Sequence, residues 1–106
     1  MSSTKEAISP LGKRLRAART AKGISQKQLG ILAGIDEFSA SPRINQYERD
    51  KHVPDYATAQ RLAKALSIPV TYLYADDDTL AEFILLFSTT EKTVKIQVMD
   101  ILSKTR

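Results

Sequence analysis

Ser25, Gln26, Lys27 and Gln28 are followed, after an intervening apolar segment and turn, by Arg43, Asn45, Gln46 and Arg49. These side chains suit one kind of chemistry. An arginine can donate two parallel hydrogen bonds to the O6 and N7 edge of guanine, and an amide can donate and accept across the edge of adenine. Lysine and arginine also meet phosphates as charges. Catalysis would need titratable groups converging in a pocket. The chain has no cysteine and one histidine, His52, which falls in a loop and reads as a surface residue. It has no phosphate-cradling glycine loop and no cluster of metal ligands at a suitable spacing, so neither an enzyme, a metal site nor a cofactor is expected. The three consecutive aspartates Asp76, Asp77 and Asp78 read as a solvated hinge and helix start.

The polar groups need elements to hold them, and the apolar spacing supplies these. Ser9-Pro10 starts a first helix, with serine as cap and proline at the first helical position. Leu11, Leu15 and Ala18 follow on one face, with Lys13, Arg14, Arg16 and Lys22 opposite, and Gly23 stops it. Ser25 and Gln28 form a capping box for a second helix. Its buried side is Leu29, Leu32 and Ala33, and Gly34 ends it. Ile35 to Ala40 reads as a turn. The third helix is expected to begin at Ser39 or Ser41, because Pro42 is acceptable only in a first turn; Ile44 and Tyr47 point inward. Lys51 to Pro54 is a loop, and Asp55 caps a fourth helix with the stripe Tyr56, Ala59, Leu62, Ala63 and Leu66. Pro69 opens a short fifth helix with Val70, Leu73 and Tyr74 inward. A short helix, a turn and a polar helix over 25–49 make a helix-turn-helix.

Beyond Ala75, Thr79 with Glu82 and Ser88 with Glu91 read as two further capping boxes, predicting helices over 80–87 and 89–104. Leu80, Phe83, Ile84 and Phe87 share one face of the first, with Leu85 and Leu86 on the other. Val94, Val98, Ile101 and Leu102 share one face of the second, with Ile96 and Met99 elsewhere. A helix apolar on more than one face needs cover on more than one side, and a second subunit is the expected cover. The fold class is therefore all-α: a flexible arm over 1–8, a five-helix bundle over 9–75, and a C-terminal segment of one or two helices over 76–106 that serves dimerisation.

Composition agrees. Apolar residues make up 42% and charged residues 26% of 106 residues, an ordinary globular mix. No apolar run approaches the roughly 18 residues of a membrane helix, and the N-terminus lacks a signal-peptide core, so a cytoplasmic protein is expected. The net charge is +4, but residues 1–75 hold 12 Lys/Arg against 6 Asp/Glu, while residues 76–106 hold 4 against 6. A basic front and a mildly acidic back suit a polyanion-binding unit followed by a segment with another task.

The ordered motifs from Leu11 to Tyr74 resemble the lambda-repressor-like helix-turn-helix family, also called the Cro/C1 or XRE type. The carrying residues are Leu11-Gly12-Lys13-Arg14-Leu15-Arg16-Ala17-Ala18-Arg19 and Lys22-Gly23-Ile24-Ser25-Gln26-Lys27-Gln28-Leu29, then Tyr47-Glu48-Arg49 with Pro54, and Leu62-Ala63-Lys64-Ala65-Leu66. The resemblance implies that the third helix reads the major groove of double-stranded DNA, with Ser41, Arg43, Asn45 and Gln46 at or near base-reading positions. It places Ser25 and Gln26 at a phosphate, where free amides favour an anion, with Lys27, Arg49 and Lys51 bordering the backbone. It also implies an ion pair between Arg19 and Glu48. Three departures stand out: a longer turn between Asp36 and Ser41, Gly30 in place of a more usual alanine, and Ser67 where a helix-ending glycine is common.

The expected function is that of a sequence-specific transcriptional regulator, a repressor acting by occupying its site. The expected homodimer interface is Leu80, Phe83, Ile84, Phe87, Val94, Val98, Ile101 and Leu102. The alternative is an antitoxin-like interaction module that binds a protein partner through residues 76–106.

Overall fold

The computed structural model describes residues 9–106; the arm expected over 1–8 lies outside the described residues. Among the described residues there are seven helices and no strand: α1 (Leu11–Lys22), α2 (Gln26–Leu32), α3 (Glu37–Glu48), α4 (Tyr56–Ala65), α5 (Val70–Leu73), α6 (Asp78–Ser88) and α7 (Lys92–Lys104). Leu11, Leu15, Leu29, Ile44, Leu62 and Leu73 are fully buried, one or two from each of the first five helices. Full burial of one such side chain stabilises by about 1.5–3 kcal/mol, so this shared centre, rather than helix propensity, holds five short helices together.

Helix ends follow local chemistry. Ser25 Oγ accepts from the Gln28 amide and Gln28 Oε1 accepts from the Ser25 amide, both halves of a capping box. Asp55 Oδ1 accepts from the Thr58 amide at the start of α4. Ser9 Oγ accepts from the Leu11 amide, with Pro10 as the residue before the first helical one. The C-terminal ends of α1 to α4 close on left-handed residues at Gly23, Gly34, Asp50 and Ser67. After each, the next amide donates to the carbonyl five residues back, Ile24 to Arg19, Ile35 to Gly30, Lys51 to Gln46 and Ile68 to Ala63, the Schellman arrangement. Ser67 thus occupies the conformation that a glycine would take there.

The third helix departs from expectation. It begins at Glu37, capped by Asp36, whose carboxylate accepts from the Phe38 amide. The turn is therefore short and Pro42 lies inside the helix, although an interior proline costs about 3 kcal/mol. The compensation is visible in Ala40, Ile44 and Tyr47, all buried. Ala40 seats directly on Gly30: a Cβ built on Gly30 would stand 2.6 Å from the Ala40 Cβ. That contact explains the glycine in α2, and it requires the helix to run back past Pro42.

Further corrections concern which side chains face the core and which residues cap: Leu32, expected on the buried side of α2, is exposed. Arg14, expected on the solvated face of α1, is only 6% exposed. Its Nε donates to the Ala75 carbonyl at 3.0 Å, its Nη1 meets Asp78 at 2.9 Å, and its guanidinium lies 5.8 Å from the centre of the Tyr72 ring. Tyr72 rather than Tyr74 is the buried tyrosine of α5, and Tyr56 is exposed rather than part of the α4 stripe. Asp77, not Thr79, caps α6 through the Leu80 amide. Glu91 precedes α7 without a side-chain cap, and Ser88 donates instead to the Leu85 carbonyl. Lys13 and Arg14 hold the Asp78 carboxyl below the usual carboxylate range.

Replacing Gly30 with alanine raises helix propensity but forces the new methyl into Ala40, an overpacking cost of about 1–3 kcal/mol. We expect Gly30→Ala to lower the thermal midpoint in a calorimetric melt, and Ala40→Gly to rescue little of the loss, because the added methyl would still stand 2.9 Å from the Ala40 Cα.

Candidate nucleic-acid interface

Glu48 near the end of α3 organises the surface around it. Its side chain is 3% exposed and accepts from three donors. Arg19 engages it bidentately, Nε to Oε2 at 2.5 Å and Nη2 to Oε1 at 3.1 Å. Gln26 Nε2 reaches Oε1 at 3.1 Å. Arg19 also donates through Nη1 to the Ile24 carbonyl at 3.0 Å, and the carboxylate raises the pKa of its guanidinium above the ordinary value. Three helices thereby converge: α1 through Arg19, the entry to α2 through Ile24 and Gln26, and α3 through Glu48.

Gln26 extends the network, since its Nε2 also lies 3.2 Å from Asn45 Oδ1. Among the residues assigned to DNA contact from the sequence, Gln26 and Asn45 are thus joined to each other, and both are half-buried. Arg16, Arg19, Gln26, Asn45, Glu48 and Arg49 line one concavity between α1, α2 and α3. Arg43 and Gln46 are exposed and line a second one with Tyr47, His52 and Val53. Ser41 is half-buried, away from both. Ser25, Lys27, Arg49 and Lys51 are exposed. Lys27 Nζ stands 3.7 Å from Glu37, across the α2–α3 corner, a surface pair of small energetic weight.

The early start of α3 adds residues that the expected boundary excludes. Glu37, Phe38 and Ser39 form its first turn, and Phe38 is 87% exposed. The signal that could have found them is Asp36, an N-cap residue three positions ahead of Ser39; the Pro42 rule outweighs it in a sequence reading. Among the described residues no group of three or more His, Cys, Asp or Glu is placed to hold a metal ion, and no helix is long and apolar enough to cross a membrane.

A short capped helix packed across a second helix that presents guanidinium and amide groups outward defines a helix-turn-helix protein of the DNA-binding class. A family model described as a helix-turn-helix domain matches residues 12–78. Among solved structures, the crystal structure of transcriptional regulator BswR is similar at 49% identity and TM-score 0.84, over 89% of this chain and 93% of that one. The restriction-modification controller protein C.AhdI from Aeromonas hydrophila is similar at 34% identity and TM-score 0.56, over 63% of this chain and 96% of that one. No curated protein matches the chain. The chain belongs to the XRE-type helix-turn-helix family of transcriptional regulators, whose members are DNA-binding regulators and not enzymes.

Removing one partner of a buried ion pair leaves the other charge unpaired, which costs about 3 kcal/mol or more. Arg19→Ala should therefore destabilise the chain by about 3 kcal/mol in urea unfolding. Arg19→Lys should recover only part, because an ammonium cannot make the bidentate fork.

Proposed function

We propose that this regulator is a cytoplasmic homodimeric repressor that reads the major groove of double-stranded DNA with α3 and acts by occupying its site. The observation that carries the reading is the outward face of α3: Arg43 and Gln46 stand exposed, and Asn45 is held in place by Gln26. Arg43 and Gln46 have the donor and acceptor geometry for guanine and adenine edges. Ser41, nearer the start of the helix, takes a lesser part. Ser25, Gln26 and Lys27 bring the free amides of α2 and one charge to a phosphate. Arg49 and Lys51, at and just beyond the end of α3, border the next phosphates.

Dimerisation rests on a separate observation. No residue of α7 is buried, although Val94, Ile96, Met99, Ile101 and Leu102 are all apolar and exposed. A helix of 13 residues with no buried face is marginal in water. On α6, Leu80, Phe83 and Leu86 are exposed as well, and Phe83 stacks on Phe87 with centroids 5.4 Å apart. Ile84, assigned to this face from the sequence, packs with Leu85 on the chain's own core. The radius of gyration is 16.0 Å, against about 13 Å for a compact chain of this length. A second copy pairing along α6 and α7 covers these groups and sets two α3 helices about one turn of DNA apart.

Two measurements test the reading. On the site selected from random duplexes, Arg43→Ala and Gln46→Ala should each cost about 1–3 kcal/mol and relax the preference at one position. Lys51→Ala should weaken binding to all sequences alike and flatten the salt dependence. Equal losses on every sequence for Arg43→Ala and Gln46→Ala would remove direct readout. Separately, Val98→Glu with Leu102→Glu should convert a dimer to a folded monomer in sedimentation, with DNA binding much weakened; an unchanged dimer would exclude the α7 interface.

A further inference from the structure

The most exposed aromatic group of the described chain is Phe38, in the first turn of α3. At 87% exposure its ring contributes nothing to the fold. Its backbone is nevertheless fixed, because the Phe38 amide is the donor to the Asp36 cap. Phe38, Pro42, Asn45 and Arg49 follow at the spacing of one helical strip, and that strip lies opposite the buried set Ala40, Ile44 and Tyr47. The ring therefore leads the strip that carries the Asn45 amide and the Arg49 guanidinium, with Gln46 about 80° around the helix from it, at the N-terminal end that enters a groove. Pro42, exposed one turn further on, keeps that end of the strip apolar.

Only one base feature in the major groove is apolar, the 5-methyl group of thymine, and a phenylalanine ring is among the side chains that meet it. We propose that Phe38 is a specificity-determining residue that selects thymine by packing its ring on that methyl group. This inference rests on the reading of α3 as the groove-reading helix. Two carboxylates border the ring: Asp36 is engaged by the Phe38 amide, and Glu37 forms a surface pair with Lys27 at 3.7 Å.

The test uses the full chain and the duplex it selects from a random pool. Each thymine of that duplex is replaced in turn by uracil, which deletes a methyl group and keeps every hydrogen-bonding atom. At one position, repeated in the other half of a palindrome, uracil should weaken binding about fourfold per copy, the transfer value of one buried methyl-sized group. Phe38→Ala should lose at least that factor on the thymine duplex and bind the thymine and uracil duplexes equally. An enriched site in which uracil is tolerated everywhere overturns the assignment of Phe38 while leaving the reading by α3 intact. A thymine preference that survives in Phe38→Ala does the same. A pool with no enriched site overturns both.

Discussion

One buried carboxylate holds α1, α2 and α3 in register. Glu48 sits almost wholly out of water, and a charge so placed is tolerable only when its lone pairs are filled. Arg19 and Gln26 fill them from two other helices. Because Gln26 also reaches Asn45, the orientation of a side chain on the outer face of α3 is coupled to a pair that serves stability. Loss of the carboxylate would leave α1 without its polar link to α3, held there by apolar contacts, which constrain distance better than rotation.

A second constraint is steric. α2 and α3 approach until Ala40 rests on the Gly30 backbone, and Gly12 sits equally close to the Tyr47 and Glu48 carbonyls, where a Cβ would stand at 2.8 Å. Glycine in a helix costs about 1 kcal/mol relative to alanine. Both helices accept that cost where the neighbouring backbone leaves no room. Gly12 lets α1 close on the end of α3, beside the carboxylate network, while Gly30 lets α2 close nearer its start, so α3 is fixed at two places along its length.

Local chemistry in this chain is legible from the sequence wherever a side chain serves its own backbone. The Ser25–Gln28 box, the Asp55 cap and the apolar centre all follow from spacing. The pairing of Arg19 with Glu48 enters through the family resemblance, since no spacing rule links residues 29 apart. What sequence spacing misses is decided by contacts between helices. Pro42 argues for a late start to α3, but burial of Ala40 against Gly30 wins and brings Glu37 and Phe38 into the helix. Arg14 reads as a surface cation because nothing local shows that Ala75, Asp78 and Tyr72 gather around it.

The outermost residues of α3 and the whole of α7 raise the same physical question, why apolar groups stay in water. In α3 the apolar groups are few and stand beside charges, which suits a polar ligand with one greasy feature. In α7 they lie on a helix that buries nothing. Apolar side chains offer phosphates no hydrogen bond, and together they are too large a surface to leave wet at no cost. If the proposed dimer covers it, folding of α7 and association are one equilibrium. Occupancy of a palindromic site would then rise steeply with protein concentration, because the second recognition helix arrives only when α7 has found its partner.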